Sequence, residues 1–89
     1  MKLLVFSSPI AGSDRESHID DEEAAINRLR RQGFIEQIYI REDGSGAVTV
    51  VQANSLAECH RKLQELPFVK YKCILVEAVP VSEFHGVTR

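Results

Sequence analysis

Few side chains in this sequence could move a proton. There are three histidines, His18, His60 and His85, and imidazole is the side chain that titrates closest to neutrality. His18 falls in a long connection near the entry of the first helix, where it could overhang a pocket or simply face solvent. His60 follows Cys59 on a helix and flanks its apolar stripe, a boundary position. His85 lies in the tail, within reach of a partner subunit or free in water. Glu77 is placed differently, inside the otherwise apolar run Cys73 to Val79. A covered carboxylate there needs a hydrogen-bond partner or a raised pKa, and Tyr39, Arg41 or Lys72 could provide the partner. A solvent-exposed sheet end explains the same residue without chemistry. Glu36 and Gln37, early in the second strand, could line the same cavity. The candidate catalytic set is therefore Glu77, His18 and Tyr39, suited to proton transfer in an apolar pocket.

Other chemistries find little support. Cys59 and His60 are adjacent and so diverge on a helix, and no His, Cys, Asp and Glu cluster has metal-ligand spacing. No metal and no cofactor are expected. Asp43-Gly44-Ser45-Gly46 joins strand to strand, so it lacks the helix N-terminus of a phosphate-binding loop. The formal net charge of -2, from 11 basic and 13 acidic residues, gives no clustered positive charge for nucleic acid. No apolar run is long enough to cross a membrane. Met1 to Phe6 has the start of a signal peptide, but Ser7, Ser8 and Pro9 end it too early, and a first strand is the better reading. Cys59 and Cys73 fall where apolar side chains are wanted, as buried free thiols of a reducing compartment do. A cytoplasmic location follows.

The elements that must position these residues can be read from periodicity. Lys2 to Phe6 reads as the first strand, and Ser7 to Ser17 as a connection rich in Ser, Pro, Gly and Asp. Asp20 or Asp21 can cap the first helix, with Glu22 and Glu23 at its positive end. Ala25, Ile26 and Leu29 form its apolar side, and Gly33 stops it. Arg28, Arg30 and Arg31 suit its last turn, solvated and paired with upstream acids. Phe34 to Arg41 is the second strand, with Ile38 and Ile40 on one face and Gln37, Tyr39 and Arg41 on the other. The Asp43 to Gly46 turn leads into a third strand, Ala47 to Gln52. Ser55 and Glu58 have capping-box spacing; Leu56, Cys59, Leu63 and Leu66 then form one stripe, ended by Pro67. Tyr71 to Val79 is the last strand.

The order β-α-β-β-α-β over 89 residues describes a single α+β domain, residues 1–89. Crossover rules place both helices on one face of an antiparallel four-stranded sheet. A chain this short buries only about 60–65% of its unfolded surface, so a partner subunit is a natural supplement. Taking Val50, Ile74 and Val76 as helix-facing leaves Val51, Cys73, Leu75 and the Tyr71 ring on the other face. The reverse assignment leaves the same surplus. A sheet with one wet face alternates more cleanly, so a homodimer through the open sheet face is expected. The tail, residues 80–89, is expected to contact the partner subunit or to remain without regular structure.

Leu29-Arg30-Arg31-Gln32-Gly33, a strand and hairpin, the helix start Ser55-Leu56-Ala57-Glu58, and Leu66-Pro67-Phe68 before the last strand together carry a resemblance. They resemble the muconolactone isomerase-like proteins of the dimeric α+β barrel superfamily. The resemblance implies a ferredoxin-like subunit whose sheet packs against that of a partner, with pockets between sheet and helix or at the interface. It also implies a cofactor-independent isomerase that transfers a proton within a small unsaturated lactone or related apolar or aromatic-derived compound. A non-catalytic ligand-binding, accessory or structural protein of the same fold is the alternative. The sequence departs from the isomerase in its Ser-, Gly- and Asp-rich first connection and its tighter hairpin.

Overall fold

The computed structural model describes residues 1–87. Seven apolar or small residues follow Lys2 in β1, Lys2–Pro9, which pairs antiparallel on both edges. A 3-10 turn, Glu16–His18, runs directly into α1, Ile19–Arg31. β2, Ile35–Ile40, and β3, Ala47–Gln52, form the hairpin; α2, Leu56–Leu63, and a short α3, Pro67–Lys70, precede β4, Ile74–Val81. The sheet order is β2-β3-β1-β4, all neighbours antiparallel. This is the ferredoxin-like α+β architecture, with β1 and β3 as the two central strands.

Period-two alternation decides which side chains meet the helices. Leu3 pairs with Val51, which pairs with Ile35, and all three are buried. Ala25 and Leu29 from α1 and Cys59 and Leu63 from α2 close over them in one core. Val51 is thus helix-facing and Val50 looks outward, the reverse of the faces expected for β3 from the sequence. The register with Leu3 settles the face, because β1 buries Leu3 and Val5 against the helices. In β4 the helix-facing set is Ile74, Val76 and Ala78, as expected, and Leu75, Glu77 and Val79 look outward.

Several boundaries move for identifiable reasons. β1 extends through Ser7, Ser8 and Pro9 because β4 offers them an edge, Pro9 facing Ile74. Neither Asp20 nor Asp21 caps α1. The helical path begins earlier, where Asp14 accepts hydrogen bonds from the Ser17 N–H and hydroxyl. The α2 cap is half of a capping box: Ser55 Oγ accepts from the Glu58 N–H at 3.0 Å, while the Glu58 carboxylate accepts from the Asn54 N–H. α2 ends at Leu63, and Pro67 opens a new helical turn at its first position, where a missing N–H costs nothing. Lys72, with φ of 56°, then turns the chain, so the last strand starts at Ile74 and not Tyr71. It continues to Val81, taking Pro80 and Val81 out of the expected tail. Residues 82–87 form no helix or strand, and the last two tail positions lie outside the described residues.

Candidate active site

Helix α1 sets one wall of the site. Its buried stripe is Glu22, Ala25 and Leu29, at steps of three and four residues. The stripe therefore delivers a carboxyl group to a position where an apolar side chain is usual. Glu22 is 7% exposed. One of its oxygens, Oε1, accepts the backbone N–H of Phe68 at 2.9 Å. Burial pushes the Glu22 carboxyl above its ordinary value, and the Phe68 N–H opposes that rise without cancelling it. The group is therefore suited both to hold a proton and to release it.

Glu22 lies between two hollows. The inner cavity, about 270 Å³, is set between the helix-facing side of the sheet and the helices. Its walls are mostly apolar, with Ile35, Ile38, Ile74 and Val76 from the sheet and Leu66 and Phe68 opposite. Gly44 and Gly46 of the β2–β3 hairpin reach the same cavity. The outer hollow, about 560 Å³, lies along the connection between β1 and α1. Arg15, Glu22, Ile26 and Phe68 line both. Arg15 and Glu22 are the two charged residues lining the inner cavity among the described residues.

The connection that carries Arg15 is fastened at two points. Ser13 Oγ donates to the Ile10 carbonyl at 2.7 Å and reaches the Cys73 carbonyl at 3.3 Å. At the other end the His18 ring stacks on Tyr71, with centroids 4.4 Å apart and planes within 5°. Local hydrogen bonds within Asp14 to Ser17 shape the chain between these anchors, and the same bonds hold the Asp14 carboxyl below its ordinary value.

The three residues singled out from sequence are not brought together. Tyr39 faces Val48, Val48 faces Phe6, and Phe6 faces Glu77. Tyr39 and Glu77 thus occupy one row of the open sheet face at opposite edges, three strand spacings or roughly 14 Å apart. Both are exposed. Neither they nor His18 line the two hollows. His18 instead packs on Tyr71 beside the outer one. Glu36 lies 3.9 Å from Lys2 Nζ and accepts from Gln52, and Gln37 is on the open face opposite Val50. His60 is exposed on α2, and His85 meets Glu83 in the tail at 3.8 Å. Arg28 pairs with Glu65, just beyond the end of α2, at 3.5 Å, in place of the upstream acids of its own helix. Cys59 and Cys73 are buried free thiols. No group of three or more His, Cys, Asp or Glu residues is placed to hold a metal among the described residues. No helix of the described residues is long and apolar enough to cross a membrane.

The muconolactone delta-isomerase family model matches residues 7–85, a span that includes the connection, the outer hollow, the lining of the inner cavity except Val5, and β4. The chain belongs to the muconolactone delta-isomerase family. The crystal structure of a muconolactone isomerase is similar over 100% of this chain and 96% of that one, at 18% identity and a TM-score of 0.75. A second similar structure is 5-chloro-2-hydroxyhydroquinone dehydrochlorinase (TftG) from Burkholderia phenoliruptrix AC1100, in complex with 2,5-dihydroxybenzoquinone. It shares 19% identity, covers 94% of this chain and 96% of that chain, and has a TM-score of 0.70. No curated protein sequence matches the chain significantly. As a member of the delta-isomerase family, the chain combines the expected fold with a cavity between sheet and helices.

Glu22 was not among the residues that sequence reasoning selected, although a signal for it exists. Extending the Ala25 and Leu29 stripe back by one helical step lands on Glu22, whereas its acidic neighbours fall on the solvated faces. Acidic residues in a first turn suit the helix dipole, and that general explanation concealed the one acid whose position is buried.

Proposed function

We propose that this protein is a cofactor-independent isomerase that shifts a proton and a double bond within a small unsaturated lactone or related compound. The carrying observation is Glu22, a buried carboxyl with one backbone donor, in the wall of an otherwise apolar cavity. In the proposed reaction the Glu22 carboxylate takes a proton from a carbon next to the lactone's unsaturated system. The C–H electron pair delocalises into that system as a dienolate. Glu22 then returns the proton to the far carbon of the allylic unit, so the double bond moves and the carboxylate is regenerated. No oxidant, reductant or water is consumed. A delta-isomerase and a dehydrochlorinase share one chemical need, removal of a proton from the substrate, and the fold similarity to both is consistent with a base at this position.

Glu22, and not Glu77, carries the proton in the proposed reaction. His18 acts as a positioning residue through Tyr71, and Tyr39 and Glu77 face a partner. The outward side of the sheet exposes Phe6, Leu75 and Val79, and its occupant in this reading is a second copy of the chain, sheet against sheet. The test is ultraviolet-monitored isomerisation of muconolactone by wild type and Glu22→Gln. Proton-transfer groups contribute about 10²–10⁴-fold, so a loss of that size with retained folding supports the reading. Wild-type levels in the variant, or no turnover by wild type, would count against it.

A further inference from the structure

Arg15 is exposed at the surface, yet it lines both the inner cavity and the outer hollow. It is the one cationic residue in either lining among the described residues. The acids around it are otherwise disposed. Asp14 is occupied by the Ser17 N–H and hydroxyl, Glu22 is held by the Phe68 N–H, and Glu16 and Glu23 are exposed to water. No ion pair of 4 Å or less joins Arg15 to any carboxylate among the described residues. A guanidinium offers planar paired donors that match a carboxylate. The anchors at Ser13 and at His18 on Tyr71 hold the chain on both sides of Arg15, which lowers the ordering cost of using it.

We infer that Arg15 is the specificity-determining residue of this site, holding a carboxylate of the ligand at the mouth while the ligand's apolar body enters the inner cavity toward Glu22. This rests on the proposed location of the active site, and it assigns a role that the proton transfer alone does not require. The ligand class is a small, largely apolar monocarboxylate. A neutral ligand of the same shape fills the same walls but leaves the guanidinium unmatched.

The experiment compares benzoate with its neutral near-isostere benzamide, titrated into wild type, Arg15→Gln, Arg15→Lys and Glu22→Gln by NMR. Wild type is expected to prefer benzoate by about tenfold, as one charge-assisted contact of roughly 1.4 kcal/mol implies. Arg15→Gln should erase the preference, Arg15→Lys should keep part of it, and Glu22→Gln, which removes a negative charge from the same cavity, should not lower it. An equal preference in wild type and Arg15→Gln, or no preference in wild type, overturns the inference. Loss of muconolactone turnover in Glu22→Gln with an intact preference in Arg15→Gln removes only the role of Arg15. Full turnover in Glu22→Gln removes the proposed reaction instead.

Discussion

The carboxyl of Glu22 and the backbone N–H of Phe68 meet at 2.9 Å across 46 residues of sequence. The bond joins α1 to the first turn of α3. It also fixes one carboxyl oxygen, so the rotamer that points Glu22 at the cavity is held by backbone from the opposite wall.

This environment has a definite sign in pH. Burial raises the folded-state pKa of Glu22 above the ordinary 4.5, so the folded protein keeps a proton that the unfolded chain has released. Stability therefore falls as pH rises from about 4.5 through the folded value, and is flat above it. Urea denaturation across that range should show this slope in wild type and its absence in Glu22→Gln. Activity has the opposite trend: the base form appears only above the raised pKa, so the acid limb of kcat/KM should sit above 4.5.

Tyr71→Ala removes the ring on which His18 stacks, a contact worth about 0.5–1.5 kcal/mol. Hydrogen exchange of the amides from Asp14 to His18 should accelerate, with Glu22 and Phe68 amides unaffected. If the connection positions Arg15 and not the base, KM should rise several-fold while kcat holds. Tyr71→Phe, which keeps the ring, should behave as wild type.

Gly46 has a φ of +153°, and a Cβ there would collide with the Ser7 carbonyl on β1. The obstacle is backbone, which cannot swing aside. Gly46→Ala should cost about 1–3 kcal/mol, the range for a backbone held in a poorly populated region. Since Gly46 also lines the inner cavity, ligand affinity should fall with stability. Gly12→Ala, with φ of +78° but nothing within 4 Å, should cost less. Paired melting curves of the two variants check this.

Leu75 is 64% exposed and stands on the open sheet face. In a sheet-to-sheet dimer, Leu75→Asp introduces a buried carboxylate twice through the two-fold symmetry. Sedimentation velocity should show wild type as a dimer and the variant shifted toward monomer. A wild-type monomer at all concentrations would contradict the packing.

The architecture was legible because it depends on periodicity. The Ser55 cap, the Asp43 to Gly46 turn and the Cys59 and Leu63 part of the α2 stripe carry local physical signals that the tertiary structure keeps, whereas Leu56 at the start of that stripe is 42% exposed. The face of β3 was less accessible, because Val50 and Val51 are the same residue type and only the pairing with Leu3 distinguishes them. The site was least legible. Glu77 stood out by contrast with apolar neighbours, but that contrast marks an outward position on a sheet edge. Glu22 was hidden among four consecutive acids, and only the packing of α1 and the distant Phe68 N–H distinguish it.

The central claim is that Glu22 carries the proton. Its most direct test follows muconolactone isomerisation in D₂O by NMR, reading deuterium at the carbons that lose and gain the proton. A single carboxyl that carries the proton between both carbons predicts product in which part of the substrate hydrogen is retained, and no label exchange or isomerisation above background with Glu22→Gln. Wild-type rates of exchange and isomerisation in folded Glu22→Gln would contradict the claim.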